Sequence, residues 1–232
     1  MVWPDLARLG PFFALRTGAG SGLRPLGNLT VDDTPLRARV AATHAQLSAG
    51  DPDLSERVAA SAVQLGLTAR LVSPALAGAV LAARVPDLSA DRVRWSESDT
   101  WAAPFTVSDL RVREVADVDD TVQALLGLVL HGSVSTLVRA TLAVVGVAEH
   151  ILWGNVASAL AGAGTVIGSV RPELSEDCRR IVSALVATPL LAGTGGYDPR
   201  QFRRTTCCLF YLVPGGGLCH DCVLAPPQSG QA

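Results

Sequence analysis

The chain has 232 residues and a formal net charge of −2, and 49% of its residues are hydrophobic although only 5% are aromatic. This length is enough for one domain with a sizeable core, and the small, evenly spread charge excludes the basic surface that nucleic-acid binding requires. A core built from Ala, Val and Leu favours helices over sheets. We therefore expect an α+β fold that is mainly α, with a small antiparallel sheet.

The N-terminus and the two most apolar regions bear on where the protein resides. The N-terminal residues lack a basic region followed by an apolar stretch, so no secretory signal is predicted. Residues 63–85 and 121–147 are each interrupted by charge or proline, and a charge at the bilayer centre is costly. The interrupting residues are Arg70, Pro74, His131 and Arg139. We predict no membrane span and a cytoplasmic protein, with peripheral contact with the inner membrane left open.

The first third of the chain is predicted to be mostly helical. The elements in order are an extended segment at 12–16, a glycine turn at 20–22 and a helix over 34–50. Asp53 and Glu56 resemble a capping box and predict the start of a second helix. Because proline fits the first turn of a helix but not its interior, a break is predicted at Pro74, with a further helix to about residue 84.

The remaining body alternates between a strand-rich stretch and helices. Residues 91–115 alternate apolar and polar side chains, which predicts two or three antiparallel strands. The helices predicted after them start at Asp117, with an interruption at 132–133 and an end near 147, and then span 150–162 and 172–187. Beyond residue 190 no period is visible, which predicts a helical body at 1–190 and a separate C-terminal segment at 191–232.

The C-terminal segment holds four of the five cysteines within sixteen positions, namely Cys207, Cys208, Cys219 and Cys222. Since a cytosolic chain seldom keeps structural disulfides, such a group indicates a metal site. An apolar, strand-like run and a Pro-Gly-Gly-Gly sequence separate the two pairs and are predicted to reverse the chain and bring the pairs together.

Three hypotheses compete for these thiols. A structural zinc site commonly uses two Cys-x2-Cys pairs, and only Cys219 and Cys222 have that spacing. Adjacent residues of an extended chain point to opposite faces, so Cys207 and Cys208 are awkward ligands for one metal. A two-iron cluster presents two metals and is favoured, with the glycines letting backbone N–H groups approach its sulfides. Zinc and disulfides stay as alternatives.

The pattern Cys-Cys, ten residues, Cys, two residues, Cys resembles the C-terminal sequence of the FhuF-like ferric-siderophore reductases. Residues 69–81 (ARLVSPALAGAVL), the His131 region and residues 152–160 (LWGNVASAL) also resemble this family. The resemblance implies a [2Fe-2S] cluster on the four cysteines, and cytoplasmic reduction of ferric siderophores, with the hydroxamate type expected. The expected fold is then a helical siderophore-interacting body with a C-terminal iron–sulfur loop.

The expected activity is one-electron reduction of chelated Fe(III), since hard oxygen donors bind the resulting Fe(II) far less well. No dinucleotide or Walker motif is present in the sequence, so an external donor such as a ferredoxin or a flavin reductase is expected. Two alternatives belong to other classes. One is a zinc-clasp module that binds a siderophore or a protein, and the other is an iron–sulfur electron carrier for a protein partner.

Three residues beside the cysteines are candidate contributors. Arg203 and Arg204 would attract an anionic carrier or raise the cluster potential, or they are solvated loop charges. His220 lies between Cys219 and Cys222 and is either a ligand or proton-coupled group or an outward-pointing side chain.

Four residues of the body complete the candidates. His131 and Arg139 would line a chelate pocket from one helix face, or be buried and paired with carboxylates. Trp153 would flank the siderophore, or be a core residue. Cys178 stands apart from the other cysteines in sequence and is expected to be a free thiol.

Overall fold

The computed structural model describes residues 3–20, 22–96, 105–198 and 201–225, and over these residues the fold is mainly helical. The α-helices are α1 (Thr34–Leu47), α2 (Glu56–Ala82), α3 (Val118–Leu125), α4 (Ser135–Val144), α5 (Glu149–Val170) and α6 (Ser175–Val186). The α+β, mainly α class predicted from composition is confirmed. Helix α5 runs eight residues beyond the predicted end at 162, because its apolar and small residues continue to Val170.

Helix α2 is continuous, so the predicted break at Pro74 is wrong. Proline removes one helical hydrogen bond, which usually ends or kinks a helix. Here Pro74 is buried, and the helix is apolar on nearly every face, as is typical of a fully buried helix. Burial of both halves against neighbouring helices outweighs the lost bond. The predicted capping box is also wrong, since the N-cap is Ser55 and no side chain caps the helix.

Helices α3 and α4 are joined by a π-helical segment, Leu126–Val134, where an interruption at 132–133 was predicted. The start of α3 is as predicted, because the Asp117 side chain accepts a hydrogen bond from the Asp120 N–H at 2.9 Å. In the π-helical segment the Ser133 hydroxyl donates to the Leu88 carbonyl. The chain therefore passes the glycine without leaving the helix.

Short strands form three small sheets in the described part of the chain. The strands are β1 (Arg16–Thr17), β2 (Arg24–Pro25), β3 (Arg84–Pro86), β4 (Val93–Trp95), β5 (Phe105–Val107), β6 (Val112–Glu114), β7 (Gly195–Asp198) and β8 (Gln201–Arg204). One sheet has the order β1-β5-β4-β2, with β1 parallel to β5 and the other pairs antiparallel, while β3 pairs with β6 and β7 with β8. Strands were thus correctly predicted in 91–115, although residues 97–104 lie outside the described residues.

The β7–β8 hairpin corrects the expectation that no regular structure follows residue 190. Its edge-to-face ring pair, Tyr197 and Phe202, has centroids 5.5 Å apart. The strand-like run expected between the cysteine pairs is instead a 3-10 turn, Phe210–Leu212. Such short elements carry too few residues for a period to be visible in the sequence.

Helices α2 and α5 form the centre of the body, and α1 and α6 pack on their outer sides. Three helical stretches, Glu56–Ala82, Val118–Val144 and Glu149–Val170, are long and apolar enough to cross a membrane by length and composition. In each, 61% of the most apolar window is buried inside the fold. Their apolar character is therefore used for packing within the protein.

Gly78 tests the packing of α2. A Cβ at this position would overlap the Trp3 ring and the Arg84 carbonyl oxygen. We expect Gly78→Ala to lower the free energy of unfolding by about 1–3 kcal/mol, the usual cost of overpacking. At Gly162, in α5, an added Cβ meets nothing within 4 Å. Gly162→Ala should therefore raise stability by roughly 0.5–1 kcal/mol. Urea denaturation measures the free energy of unfolding of both variants. Equal changes in the two variants would contradict the close packing around Gly78.

Candidate metal centre

The cysteine segment follows β8 and rests on the two central helices. The Ser61 hydroxyl of α2 donates to the Cys208 carbonyl at 2.9 Å. On α5, a Cβ at Gly154 would overlap the Thr206 hydroxyl, so only glycine lets this helix approach so closely. The first cysteine pair is therefore fixed to the rigid centre of the body.

A buried chain of polar side chains connects β8 to this carbonyl. Arg204 is only 2% exposed, and its Nη2 donates to Asn155 Oδ1 at 2.7 Å. Asn155 in turn donates from Nδ2 to Ser61 Oγ and to Gln64 Oε1, both at 3.0 Å. Because Ser61 donates onward to Cys208, the network joins α2, α5, β8 and the cysteine segment.

Strand β8 also holds the second cysteine pair. The Arg204 N–H donates to the Asp221 carbonyl at 3.0 Å. Gln201 Nε2 donates to the His220 carbonyl at 2.9 Å, and Arg203 Nη2 donates to the Cys222 carbonyl at 3.3 Å. One strand thus positions both pairs, the first through its C-terminal end and the second through its edge.

The chain reverses between the pairs as predicted. Gly215 and Gly217 have φ values of +73° and +68°, in the left-handed region that favours glycine. Leu209 also lies there, with φ +70°, immediately after Cys208. This turn removes the difficulty posed by adjacent cysteines, because the segment is not an extended strand whose neighbouring side chains must point apart.

The sulfur atoms form an incomplete but suitable arrangement. Cys208 Sγ and Cys219 Sγ are 3.7 Å apart, and all five cysteines are free. Two thiolates on one tetrahedral metal with bonds of about 2.3 Å lie roughly 3.8 Å apart, so this pair has the spacing of ligands to one metal.

The other two sulfurs accept backbone hydrogen bonds. The Leu209 N–H donates to Cys207 Sγ at 3.3 Å, and the Leu224 N–H donates to Cys222 Sγ at 3.4 Å. Such bonds stabilise negative charge on sulfur. The predicted role of the glycine N–H groups towards inorganic sulfide stays a prediction.

The Cys208 and Cys219 thiols differ in acidity. The pKa of Cys208 is lowered to about 6, first by a hydrogen bond shared with Cys219, and further by the Phe210 backbone and the positive charge of Arg204. The pKa of Cys219 is raised, because its S–H donates a hydrogen bond to the Cys208 thiolate, and burial adds to the effect. The site thus already favours one thiolate before any metal binds.

The residues fit a two-iron cluster better than a single zinc ion. Among the described residues, no three His, Cys, Asp or Glu side chains lie close enough together to enclose one ion. A two-iron cluster requires four thiolates, two on each iron. In addition, Arg204 Nε is a buried donor without a partner in the described part of the chain, which suits an anionic group beside it.

The candidate substrate-binding residues of the helical body have different environments. His131 and Arg139 are both exposed, which contradicts the alternative that they are buried with carboxylates. Arg139 donates to Thr136, and neither residue contacts the cysteine segment in the bonds described. Trp153 is partly buried against the core and donates from Nε1 to Glu149 at 3.1 Å, consistent with the core interpretation.

Residues beside the cysteines also take defined positions. Arg204 is not a solvated loop charge, because it is buried, whereas Arg203 is partly buried and holds backbone carbonyls. His220 is exposed, with Nδ1 at 3.4 Å from Gln201 Nε2. Cys178 is a buried free thiol, and burial raises its pKa to about 11.

Sequence reasoning missed Asn155, Ser61 and Gln64. All three are buried polar residues within strongly apolar helices. A buried amide needs partners, so an isolated Asn in an apolar helix is a sign of a polar network. The sequence therefore indicated a polar network at Asn155, but it did not show which residues Asn155 would contact.

We expect Cys208→Ser to lose the visible absorption, iron and inorganic sulfide of the purified protein, because one metal of the cluster loses a thiolate. The control is Cys178→Ala, at a thiol buried between α5 and α6. It should keep both iron and colour. A normal absorption spectrum in Cys208→Ser would show that another residue completes the ligand set.

Substitutions of Arg204 test how its positive charge affects the reduction potential of the cluster. We expect Arg204→Gln to lower the reduction potential by roughly 30–100 mV, equivalent to about 0.7–2.3 kcal/mol for one electron, because a nearby cation favours the more negative reduced state. Arg204→Lys keeps the charge and should shift the potential less. Anaerobic redox titration followed by EPR measures the potentials. Equal shifts in both variants would assign the effect to the lost hydrogen bonds.

Comparison with known protein families gives one match in this region. Residues 204–224 match the model described as FhuF 2Fe-2S C-terminal domain, and all four cysteines of the segment lie within the match. No curated protein matches the chain. Residues 204–224 therefore form an FhuF-type C-terminal domain that carries a [2Fe-2S] cluster.

Proposed function

We propose that this protein is a ferric-siderophore reductase. The observation that carries the proposal is the match of residues 204–224 to the FhuF 2Fe-2S domain, in a segment where Cys208 and Cys219 have the sulfur spacing of ligands to one metal. We assign Cys207, Cys208, Cys219 and Cys222 as the ligands. A bound [2Fe-2S] cluster supplies one-electron chemistry.

The role of the protein residues in this proposal is positional. Ser61 and Asn155 fix the first cysteine pair, and Arg203 fixes the second. The positive charge of Arg204 favours a reduced, more negative site. Electron transfer to a chelate needs no general base and no covalent intermediate, so the residues need only hold the site rigid and accessible.

In the proposed reaction, one electron from an external donor converts chelated Fe(III) to Fe(II). The product is a larger and less highly charged ion, which hard oxygen donors bind much more weakly, so reduction leads to release. No bond of the siderophore is made or broken. The ferric siderophore is the substrate, and the hydroxamate type is the class we propose.

The donor is proposed to be a ferredoxin or a flavin reductase, and the compartment the cytoplasm. That none of the described cysteines forms a disulfide supports a reducing compartment. Exposed apolar side chains next to the cysteines support contact with a protein partner, since Tyr211, Leu218 and Leu224 are 46%, 52% and 52% exposed. The same feature favours the second candidate function, an electron carrier that serves a protein partner.

Stopped-flow oxidation separates these two functions. We expect the dithionite-reduced protein to be oxidised by a ferric trihydroxamate at least about tenfold faster than by ferric citrate, a difference of about 1.4 kcal/mol in barrier. Trapped Fe(II) should appear at one per electron lost. The oxidised protein serves as the control and should release no Fe(II). Equal rates with both chelates would contradict the reductase and leave the carrier.

A further inference from the structure

Exposed apolar side chains are concentrated in the cysteine segment. Six large apolar residues within 210–224 are between 36% and 52% exposed, whereas all the rest of the described chain exposes five. We call the six the cysteine-flanking patch, and they are Phe210, Tyr211, Leu212, Leu218, Val223 and Leu224. Single exposed apolar side chains are ordinary on a protein surface, but a concentration of them marks a site of contact.

Each part of the patch lies within a few residues of a candidate ligand. The 3-10 turn Phe210–Leu212 begins two residues after Cys208, and Leu218 immediately precedes Cys219. Because the Cys208 and Cys219 sulfurs are 3.7 Å apart, these two parts of the patch both lie beside the metal centre. The remaining two patch residues directly follow the last cysteine. A partner that covers the patch is therefore brought next to the cluster ligands.

We propose that the cysteine-flanking patch docks the electron donor, a protein whose one-electron centre, a flavin or an iron–sulfur cluster, lies beneath an apolar contact surface of its own. The inference rests on the proposed function, which requires an external donor. In the docked pair the reduced donor loses one electron to the cysteine-bound centre, and no covalent bond forms or breaks. The patch thus defines where electrons enter the protein.

The scarcity of charge in the segment sets the chemistry of the partner. Residues 205–225 contain a single Asp, Glu, Lys or Arg residue, Asp221, whose Oδ2 is buried. Charges beyond the edges of the patch have both signs, with Arg203 beside the second cysteine pair and Asp51 next to the glycine that Pro214 packs against. A strongly acidic or strongly basic partner would therefore find no complementary field at the patch. The contact is apolar.

The size of the patch favours a transient partner over a second copy of this chain. Its six side chains expose a few hundred Å² of apolar surface, similar to the functional patches of about 300–600 Å² on monomeric proteins. Stable interfaces bury about 800 Å² on each partner, whereas weak electron-transfer encounters bury less than about 1,200 Å² in total. A small contact suits a donor that has to leave after each electron.

Stopped-flow reduction of the oxidised holoprotein tests the docking. The donors are a flavin-containing ferredoxin reductase with NADPH and, separately, a reduced [2Fe-2S] ferredoxin. The dependence of the rate on donor concentration gives the Kd of the complex and the limiting rate of electron transfer. We expect the triple variant Tyr211→Gln, Leu218→Gln, Leu224→Gln to raise Kd at least about tenfold and to keep the limiting rate within about twofold. Glutamine removes the apolar contact and adds no charge that would shift the potential.

Val170→Gln is the matched control. Val170 is 58% exposed and lies about 24 Å along α5 from Gly154, where this helix contacts the cysteine segment. The control variant should bind the donor like the unaltered protein. For the unaltered protein, Kd should change less than about twofold between about 0.1 and 1 M NaCl, because an apolar contact is not screened. A tenfold loss of affinity at high salt would overturn the apolar docking.

Other outcomes would overturn the assignment of the patch to the donor. They are an unchanged Kd in the triple variant, reduction by neither donor while dithionite reduces the cluster, and an equal loss in the rate of oxidation by the ferric chelate. A dimer in sedimentation velocity, or binding to phosphatidylglycerol vesicles, that the triple variant abolishes would assign the patch to a second copy or to a lipid surface instead.

Absorbance and reduction potential show whether the cluster of each variant is intact. If the triple variant loses the cluster, the single variants Tyr211→Gln and Leu218→Gln replace it, and each should raise Kd about threefold. Failure of the ferric hydroxamate to oxidise the reduced protein would overturn the proposed function and leave the docking surface, since an electron carrier also needs a donor.

Discussion

The structure around the metal centre depends on the hydrogen bonds of one buried cation, the Arg204 guanidinium. Arg204 is almost completely removed from water, and a buried charge without partners would be very costly. Asn155 accepts from it, and Asn155 then requires acceptors of its own in Ser61 and Gln64. These groups lie on three segments, β8, α5 and α2, so their hydrogen bonds fix the three segments relative to one another. The position of Cys208 follows from that arrangement, because Ser61 donates to its carbonyl.

The small residues of the body serve the same arrangement. A helix with a larger residue at position 154 would be held away from Thr206 and could not bring Asn155 to the guanidinium. The apolar composition of α2 and α5 buries these polar groups in a region with few competing partners. A low local dielectric strengthens the hydrogen bonds and also makes any missing one more costly. The cysteine segment is therefore supported by the core although it lies near the end of the chain.

The sequence allowed the fold class, most helices and the cysteine group to be predicted, because each depends on local pattern or spacing. Pro74 was mispredicted because burial outweighs its helix-breaking tendency, and the β7–β8 hairpin was missed because its strands span only four residues each. The network through Asn155 depends on contacts between residues up to 147 positions apart, and no local pattern encodes them. Of the candidate site residues, Arg204 is buried in the polar network, whereas His131 and Arg139 are exposed on the helical body.

The central claim is that two irons, held by two pairs of cysteines on this polar network, form the redox centre. Mössbauer spectroscopy of the protein enriched in ⁵⁷Fe tests it most directly, together with zinc and sulfide analysis. We expect two thiolate-ligated ferric sites in the oxidised protein, and one localised ferrous and one ferric site after one-electron reduction. A single iron site, or stoichiometric zinc with no inorganic sulfide, would contradict it.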